Sequence, residues 1–330
     1  MSSKKQARII GMGSYLPSKV LTNADLEKMV ETNDEWIFSR TGIKERRIAE
    51  ETEFTSDMGA KAALKALEKA GVAAEEIDII LVASMTPDYI SPSTAVIVQR
   101  LIGAKNAAAI DVQAACTGFI YGLSLAKAYV ESGMYKRVLL IASEKMSAFV
   151  DYEDRNTCIL FGDGASAAVI SDEQKGLSID AICLGADGEM AELLYIPAGG
   201  TRQPSSADTL ANRQHYIKME GKELFKHAVR QMAGASKECL AKAGLLDTDV
   251  SWLVPHQANV RIMDAVAKNF CIPAERVFKT IAKYGNTSAS SIAIALDELQ
   301  QQHDIHKGEH ILLVAFGAGL TWGASVLTKL

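Results

Sequence analysis

Apolar positions along the chain fall into two periodicities. Residues 77–84, 136–142, 164–170, 250–256, 309–315 and 323–328 are short and almost uniformly apolar, which predicts strands buried on both faces. Between them, 55–70, 117–132, 221–243, 259–269 and 288–303 place apolar residues at helical spacing, and Gly71 and Gly244 follow two of these as C-terminal caps. The pattern repeats. Lys65-Ala-Leu-Glu-Lys-Ala-Gly71 is echoed by Glu238-Cys-Leu-Ala-Lys-Ala-Gly244, and Lys136-Arg-Val-Leu-Leu-Ile-Ala142 by Glu309-His-Ile-Leu-Leu-Val-Ala315, so that Gly71 to Gly244 and Ala142 to Ala315 both span 173 residues. Two blocks at one shift indicate duplication. The expectation is an α/β protein of two pseudo-duplicated halves, 1–175 and 176–330, each a mixed sheet with helices, stacked on a shared helical layer with a site at their junction.

Composition narrows the class. A chain of 330 residues, 48% hydrophobic and 23% charged, supports a large core. Its N-terminus has no apolar stretch long enough for a signal peptide and no segment suits a bilayer, so a cytoplasmic protein without membrane insertion is expected. The net charge of −5 argues against general nucleic-acid binding. Five cysteines (116, 158, 183, 239 and 271) without close pairs suit reduced thiols rather than disulfides or a metal knuckle. No metal site is expected: His303, His306 and His310 read as part of a solvated connection. Gly11-Met-Gly13 and Gly317-Ala-Gly319 lack the full dinucleotide fingerprint and read as close backbone packing. Residues 194–214 read as a long surface loop over the site, a candidate lid.

The chemistry concentrates in three segments. In Asp111-Val-Gln-Ala-Ala-Cys116-Thr-Gly-Phe119 an apolar run ends at a cysteine and a helical pattern begins, which places a thiol where the first helical N–H groups favour thiolate. Trp252-Leu-Val-Pro-His256-Gln-Ala-Asn259 and Lys283-Tyr-Gly-Asn286-Thr-Ser-Ala289 supply a histidine and an asparagine. Cys116 comes from one half and His256 and Asn286 from the other, so a cleft between the halves would unite them. A papain-like hydrolase also uses Cys, His and Asn, but a duplicated α/β pattern does not suit that fold.

These motifs, with Arg40-Thr-Gly-Ile-Lys-Glu-Arg46, Phe161-Gly-Asp-Gly-Ala165 and the closing Ala315-Phe-Gly-Ala-Gly-Leu-Thr-Trp-Gly323, resemble the β-ketoacyl-acyl-carrier-protein synthases of type III over nearly the whole chain. The resemblance implies the thiolase-like fold, two halves in αβαβα layers. It also implies an enzyme that starts type II fatty-acid synthesis by condensing an acyl-CoA primer with malonyl-carrier protein, with loss of carbon dioxide. No cofactor is implied, since acyl-CoA is a substrate. Cys116 would be the nucleophile, the backbone amides of Cys116 and Ala318 the oxyanion hole, and His256 and Asn286 the donors to the decarboxylating thioester. By the same resemblance Trp36 and Arg155 would enclose adenine with Arg40 and Thr41 beside them, and Gly221, Phe225 and Asn259 would line the pantetheine tunnel. Lys226, Arg261 and Lys268 would receive the acidic carrier protein. Phe161 would border the acyl pocket. Ser91 stands where acetyl-selective relatives close that pocket with phenylalanine, which would admit a longer or branched primer unless Tyr89 or Ile90 fills the gap. The family also implies a homodimer paired through 107–113. Two other readings share the resemblance: a condensing or acyl-transfer enzyme of secondary metabolism, and a noncatalytic carrier-protein-binding scaffold.

Overall fold

The structure is a computed structural model describing residues 5–270 and 272–330; Cys271, one of the five expected thiols, lies outside the described residues. Nine strands form the main sheet: β1 (Arg8–Tyr15), β2 (Ile79–Ala83), β3 (Ala108–Val112), β4 (Arg137–Lys145), β5 (Asp163–Ser171), β6 (Leu177–Ala186), β7 (Val250–Pro255), β8 (His310–Gly317) and β9 (Thr321–Lys329). Their order is β7-β8-β9-β6-β1-β5-β4-β2-β3. β3, β2 and β4 run parallel, as do β7 and β8, whereas the central pairings are antiparallel. The halves join where β1 meets β6, through Arg8 opposite Ser178 and Ile9 opposite Leu177.

Six helices pack on this sheet: α1 (Thr55–Ala70), α2 (Thr94–Ile102), α3 (Gly118–Ser132), α4 (Gly221–Ala243), α5 (Val260–Lys268) and α6 (Ser290–Gln302). α3 and α6 touch strands of both halves and form the middle layer. They are apolar almost all round because both sides are covered, and Phe119, Ile120, Leu123, Ile292 and Leu296 have no exposure. α1 and α2 cover the outer face of the first half; α4, with α5 against it, covers that of the second. These are the αβαβα layers of the thiolase-like fold.

The repeat is visible element by element. Gly71 and Gly244 both adopt the left-handed cap, each followed by a 3-10 turn (Ala74–Glu76, Asp247–Asp249) and a parallel strand. β3 has no full counterpart: its place in the second half is reduced to a single bridge between Leu253 and Val277. Gly11 and Gly13 do pack closely, since a Cβ on Gly13 would lie 2.6 Å from the Ala66 backbone nitrogen of α1.

β3 is the sheet edge, and Ile110 is 40% exposed. One expectation is corrected. Residues 194–214 are not one irregular loop, because Leu194–Tyr195 pairs with Lys218–Met219 and Ala207–Ala211 is helical, N-capped by Ser206. Arg213 ties this segment down through an ion pair with Asp151. His303 lies in the exposed connection the sequence predicts, and its ring also packs on Trp252 at 4.6 Å between ring centres. Cys116, Cys158, Cys183 and Cys239 are buried free thiols. Among the described residues no helix is long and apolar enough to cross a membrane.

Candidate active site

Cys116 sits in a 3-10 turn (Ala115–Thr117) that leads from β3 into α3. Ala115 has φ 44, a left-handed conformation that costs an alanine about 1 kcal/mol or more and is maintained only by its surroundings. Those surroundings are specific. Thr117 Oγ1 donates to the Ala114 carbonyl at 2.6 Å and lies 2.8 Å from Thr321 Oγ1. β8 ends against the same turn at Gly317, where a Cβ would come within 2.9 Å of the Cys116 nitrogen. Ala318 follows and borders the space beside the thiol.

The second half supplies a matching turn. Ser288, 173 positions after Ala115, is also left-handed (φ 51) and also precedes a middle-layer helix, α6. Cys116 Sγ donates to Ser288 Oγ at 3.6 Å. The thiol is 5% exposed, and burial pushes its pKa up to about 12 despite that hydrogen bond. Burial thus acts against the thiolate that the helix terminus favours.

His256 follows β7, held by its N–H donating to the Val314 carbonyl at 2.8 Å. Its Nδ1 lies 2.6 Å from Ser291 Oγ, which accepts the Gln257 N–H at 3.2 Å. The serine's own hydrogen is thus available to Nδ1, and in that tautomer the imidazole proton lies on Nε2. Burial lowers the pKa of this ring to about 3, so it is uncharged at neutral pH.

Asn286 is fixed through its backbone to the other half. Its N–H donates to the Leu160 carbonyl at 2.8 Å, and Gly162 N–H donates to its carbonyl at 3.1 Å. Its Oδ1 accepts Ser288 N–H at 2.8 Å, which leaves the amide Nδ2 as the donor toward the cavity. The supporting loop is pinned by Arg46, fully buried, whose guanidinium donates to the Ile159 carbonyl at 2.7 Å and Asn23 Oδ1 at 2.9 Å. Desolvation lowers its pKa to about 10, still charged at neutral pH.

Cys116, His256 and Asn286 line one cavity of about 150 Å³, with Phe161, Gly221, Phe225 and Asn259 also on its wall. A smaller apolar lobe of about 30 Å³ continues past Cys116 between Met85, Met146, Phe161, Ile217 and Ala318. Ser91 borders neither lobe. Asp88 is anchored by Ser56 (N–H at 2.9 Å), which turns 89–92 outward, so Ser91 is exposed and Ile90 is 93% exposed. The expectation that Ser91 widens the acyl pocket does not hold within this chain.

Other expected binding residues are placed as follows. Trp36 has guanidinium groups close to its ring, Arg155 at 4.4 Å and Arg40 at 4.7 Å, so an adenine between Trp36 and Arg155 must displace the arginine. Thr41 is not available to a ligand: it is buried, donating to the Ile37 carbonyl at 2.7 Å and accepting from Ile43 N–H at 3.0 Å. Asn259 caps α5 through the Arg261 N–H and donates to the Arg40 carbonyl at 3.0 Å, so its side chain braces the cavity mouth. Lys226, Arg261 and Lys268 are exposed on α4 and α5; Lys226 pairs with Glu223 at 2.8 Å, and Arg261 lies 5.9 Å from the Phe225 ring centre. Sequence reasoning missed Ser288 and Ser291, although both stand in the polar run Asn286-Thr-Ser-Ala-Ser-Ser291, unusual immediately before an apolar helix.

Residues 110–188 match the family model for 3-oxoacyl-[acyl-carrier-protein] synthase III, and residues 240–329 match the model for its C-terminal part. A β-ketoacyl-[acyl-carrier-protein] synthase III of Chlamydia muridarum (strain MoPn / Nigg) is 61% identical over 326 residues, covering 98% of this chain and 100% of the relative. The crystal structure of the 3-oxoacyl-[acyl-carrier-protein] synthase III from Aquifex aeolicus VF5 has a TM-score of 0.90 at 49% identity, covering 98% of this chain and 100% of that one. The priming β-ketosynthase of the R1128 polyketide pathway has a TM-score of 0.91 at 36% identity, covering 100% and 98%. Together, the layered fold and these relatives define a thiolase-fold condensing enzyme, an acyltransferase. Within that class, the chain belongs to the β-ketoacyl-[acyl-carrier-protein] synthase III family.

Proposed function

We propose that this enzyme starts type II fatty-acid synthesis by transferring an acyl group from CoA to Cys116 and condensing it with malonyl-carrier protein. The observation that carries the residue assignment is a buried thiol sharing one mostly apolar cavity with two uncharged hydrogen-bond donors. The chain reads functionally as a nucleophile-bearing half, 1–175, and a donor-bearing half, 176–330.

In the first step Cys116 Sγ bonds to the thioester carbonyl carbon, and the oxyanion takes hydrogen bonds from the backbone N–H groups of Cys116 and Ala318. Collapse breaks the bond to the CoA sulfur. In the second step the malonyl thioester carbonyl accepts from His256 Nε2–H and Asn286 Nδ2–H. Breaking the bond to the carboxylate releases carbon dioxide and leaves the electron pair as an enolate on that hydrogen-bonded oxygen. Neutral donors suit this step because they stabilise the developing oxyanion without forming an ion pair with the malonyl carboxylate. The enolate carbon then attacks the acyl-Cys116 carbonyl, and sulfur departs to regenerate the enzyme. The thioester itself is the electron sink, so the sequence calls for no redox cofactor.

The small lobe favours a short primer, acetyl above longer chains. Exposed Lys226, Arg261 and Lys268 on α4 and α5 would attract the acidic carrier protein, and edge strand β3 would pair with a second copy. Mixing the protein with acetyl-, butyryl- and octanoyl-CoA, with Cys116→Ala as control, should give an acetyl adduct by intact mass that depends on Cys116. Malonyl-carrier protein should discharge it as β-ketoacyl-carrier protein. A persistent adduct would point to another acceptor, and octanoyl preference would overturn the short-primer reading.

A further inference from the structure

Two threonines beside the nucleophile have no part in the mechanism above, yet their hydroxyls meet. Thr117 ends the turn that carries Cys116 in the first half, and Thr321 opens β9 in the second. Each closes its own turn by donating to the carbonyl three residues back. Thr117 Oγ1 reaches the Ala114 carbonyl at 2.6 Å, and Thr321 Oγ1 reaches the Ala318 carbonyl at 2.9 Å. The two hydroxyl oxygens lie 2.8 Å apart, and Thr321 Oγ1 also stands 3.4 Å from the Ala114 carbonyl. Thr117 has no exposure.

The count of hydrogens shows what joins them. A hydroxyl has one hydrogen to give and can accept on its oxygen. The Thr117 hydrogen goes to Ala114, its shortest contact, so the 2.8 Å contact is a hydrogen bond only when Thr321 donates across it. Thr321 therefore divides one hydrogen between Thr117 Oγ1 and the Ala318 carbonyl, a three-centre bond that spans the two halves. The local secondary structure does not depend on it. The Ala114 carbonyl already accepts the Thr117 N–H at 3.1 Å, and Thr321 is held opposite Gly317 in the pairing of β8 with β9. The far end of the loop is fixed separately, since Leu320 and Asp187 exchange N–H to carbonyl bonds of 2.7 and 2.8 Å.

We infer that Thr117 and Thr321 are positioning residues that set the spacing of the two oxyanion-hole amides, Cys116 N–H on one turn and Ala318 N–H on the other. The inference rests on the reading of Cys116 as the acylated residue and of those amides as its oxyanion donors. The donors belong to different halves of the chain, and the oxygen of a tetrahedral intermediate must reach both at once. Gly317, packed against the Cys116 nitrogen, limits how near the two segments come. Contact of that kind repels but does not tether; the hydroxyl pair limits how far apart they move. Neither threonine touches the primer in this arrangement. Decarboxylation draws on other donors, His256 and Asn286, so a fault in the link falls on one half-reaction and spares the other.

The test compares single-turnover acylation of Cys116 by acetyl-CoA, followed by intact mass, with carbon dioxide release from malonyl-carrier protein in the absence of primer. Thr117→Val keeps the side-chain shape and leaves the Thr117 N–H bond to Ala114 in place. It should slow acylation at saturating acetyl-CoA about ten- to a hundredfold. The half-saturating concentration should move less than about twofold, because the ground-state thioester draws little on these donors. Carbon dioxide release should also stay within about twofold of wild type. Thr117→Ser, which restores the hydroxyl, should recover most of the acylation rate. Thr321→Val should reproduce the same split between the steps, which decides the matter even if Thr117→Val fails to fold. Equal slowing of both steps, or acylation at the wild-type rate in the valine variants, overturns the proposal alone. Absence of an acetyl adduct on the wild-type protein overturns the reading it rests on as well.

Discussion

His256 is uncharged because it is buried, and this makes it a source of acid sensitivity. Its ordinary pKa of 6.5 in the unfolded chain falls to about 3 in the folded one. Between these values the unfolded chain binds more protons, so the stability tied to this group is complete above pH 6.5 and drains away as pH falls toward 3. His256→Gln should therefore lose less melting temperature than wild type between about pH 7 and pH 4; an equal loss in both would place the acid sensitivity elsewhere. Glu144, buried near the end of β4, contributes in the opposite sense, with stability present below 4.5 and lost as pH rises through about 7. Ser291→Ala should slow release of carbon dioxide from malonyl-carrier protein about tenfold or more by freeing the imidazole tautomer, with the melting temperature little changed. An unchanged rate would deny Ser291 that role. Cys116, His256 and Asn286 were legible in the sequence because each stands in a distinctive motif. Ser288 and Ser291 were not, because their importance lies in contacts between segments far apart: Ser288 meets a sulfur 172 residues away.

At the level of elements, periodicity located the buried pieces well and the surface pieces poorly. The helix read at 259–269 spans Val260–Lys268, and the one read at 288–303 spans Ser290–Gln302, because a covered helix must be apolar on the faces it buries. The loop read at 194–214 conceals a short helix whose stability comes from Arg213 and a serine cap, neither of which leaves a periodic signal. The edge position of β3 carries no periodic signal of its own and was legible only through the resemblance, which implied pairing through 107–113. Two glycines test how closely the elements approach. Gly13→Ala would push a methyl against the α1 backbone, and a loss of about 1–3 kcal/mol is expected by chemical denaturation. Gly317→Ala would press on the Cys116 turn, and it should cut Cys116 acylation at least tenfold with a smaller change in stability. Comparable acylation in that variant would mean that β8 does not hold the nucleophile in register.

At the scale of the whole molecule, the main sheet ends on one side in β3. β3 pairs with β2 on one side only, and its residues alternate between exposed and half-buried. Sedimentation should give twice the 35.5 kDa of a single chain, and Ile110→Lys should shift the population toward monomer. A wild-type monomer would defeat this proposal. Duplication was legible at this scale because helix caps and buried strands retain their residue types, whereas the meeting of the two middle-layer turns required coordinates. Ala115 and Ser288 are the same bend, inherited twice and turned face to face. A chain of half this length that associated with itself would set two identical bends across a symmetry axis. The copies have since divided their labour: one bend presents a sulfur, and the other presents the oxygen that touches it. Neither can now replace its twin, so a symmetric architecture carries a centre that works only because its symmetry is broken.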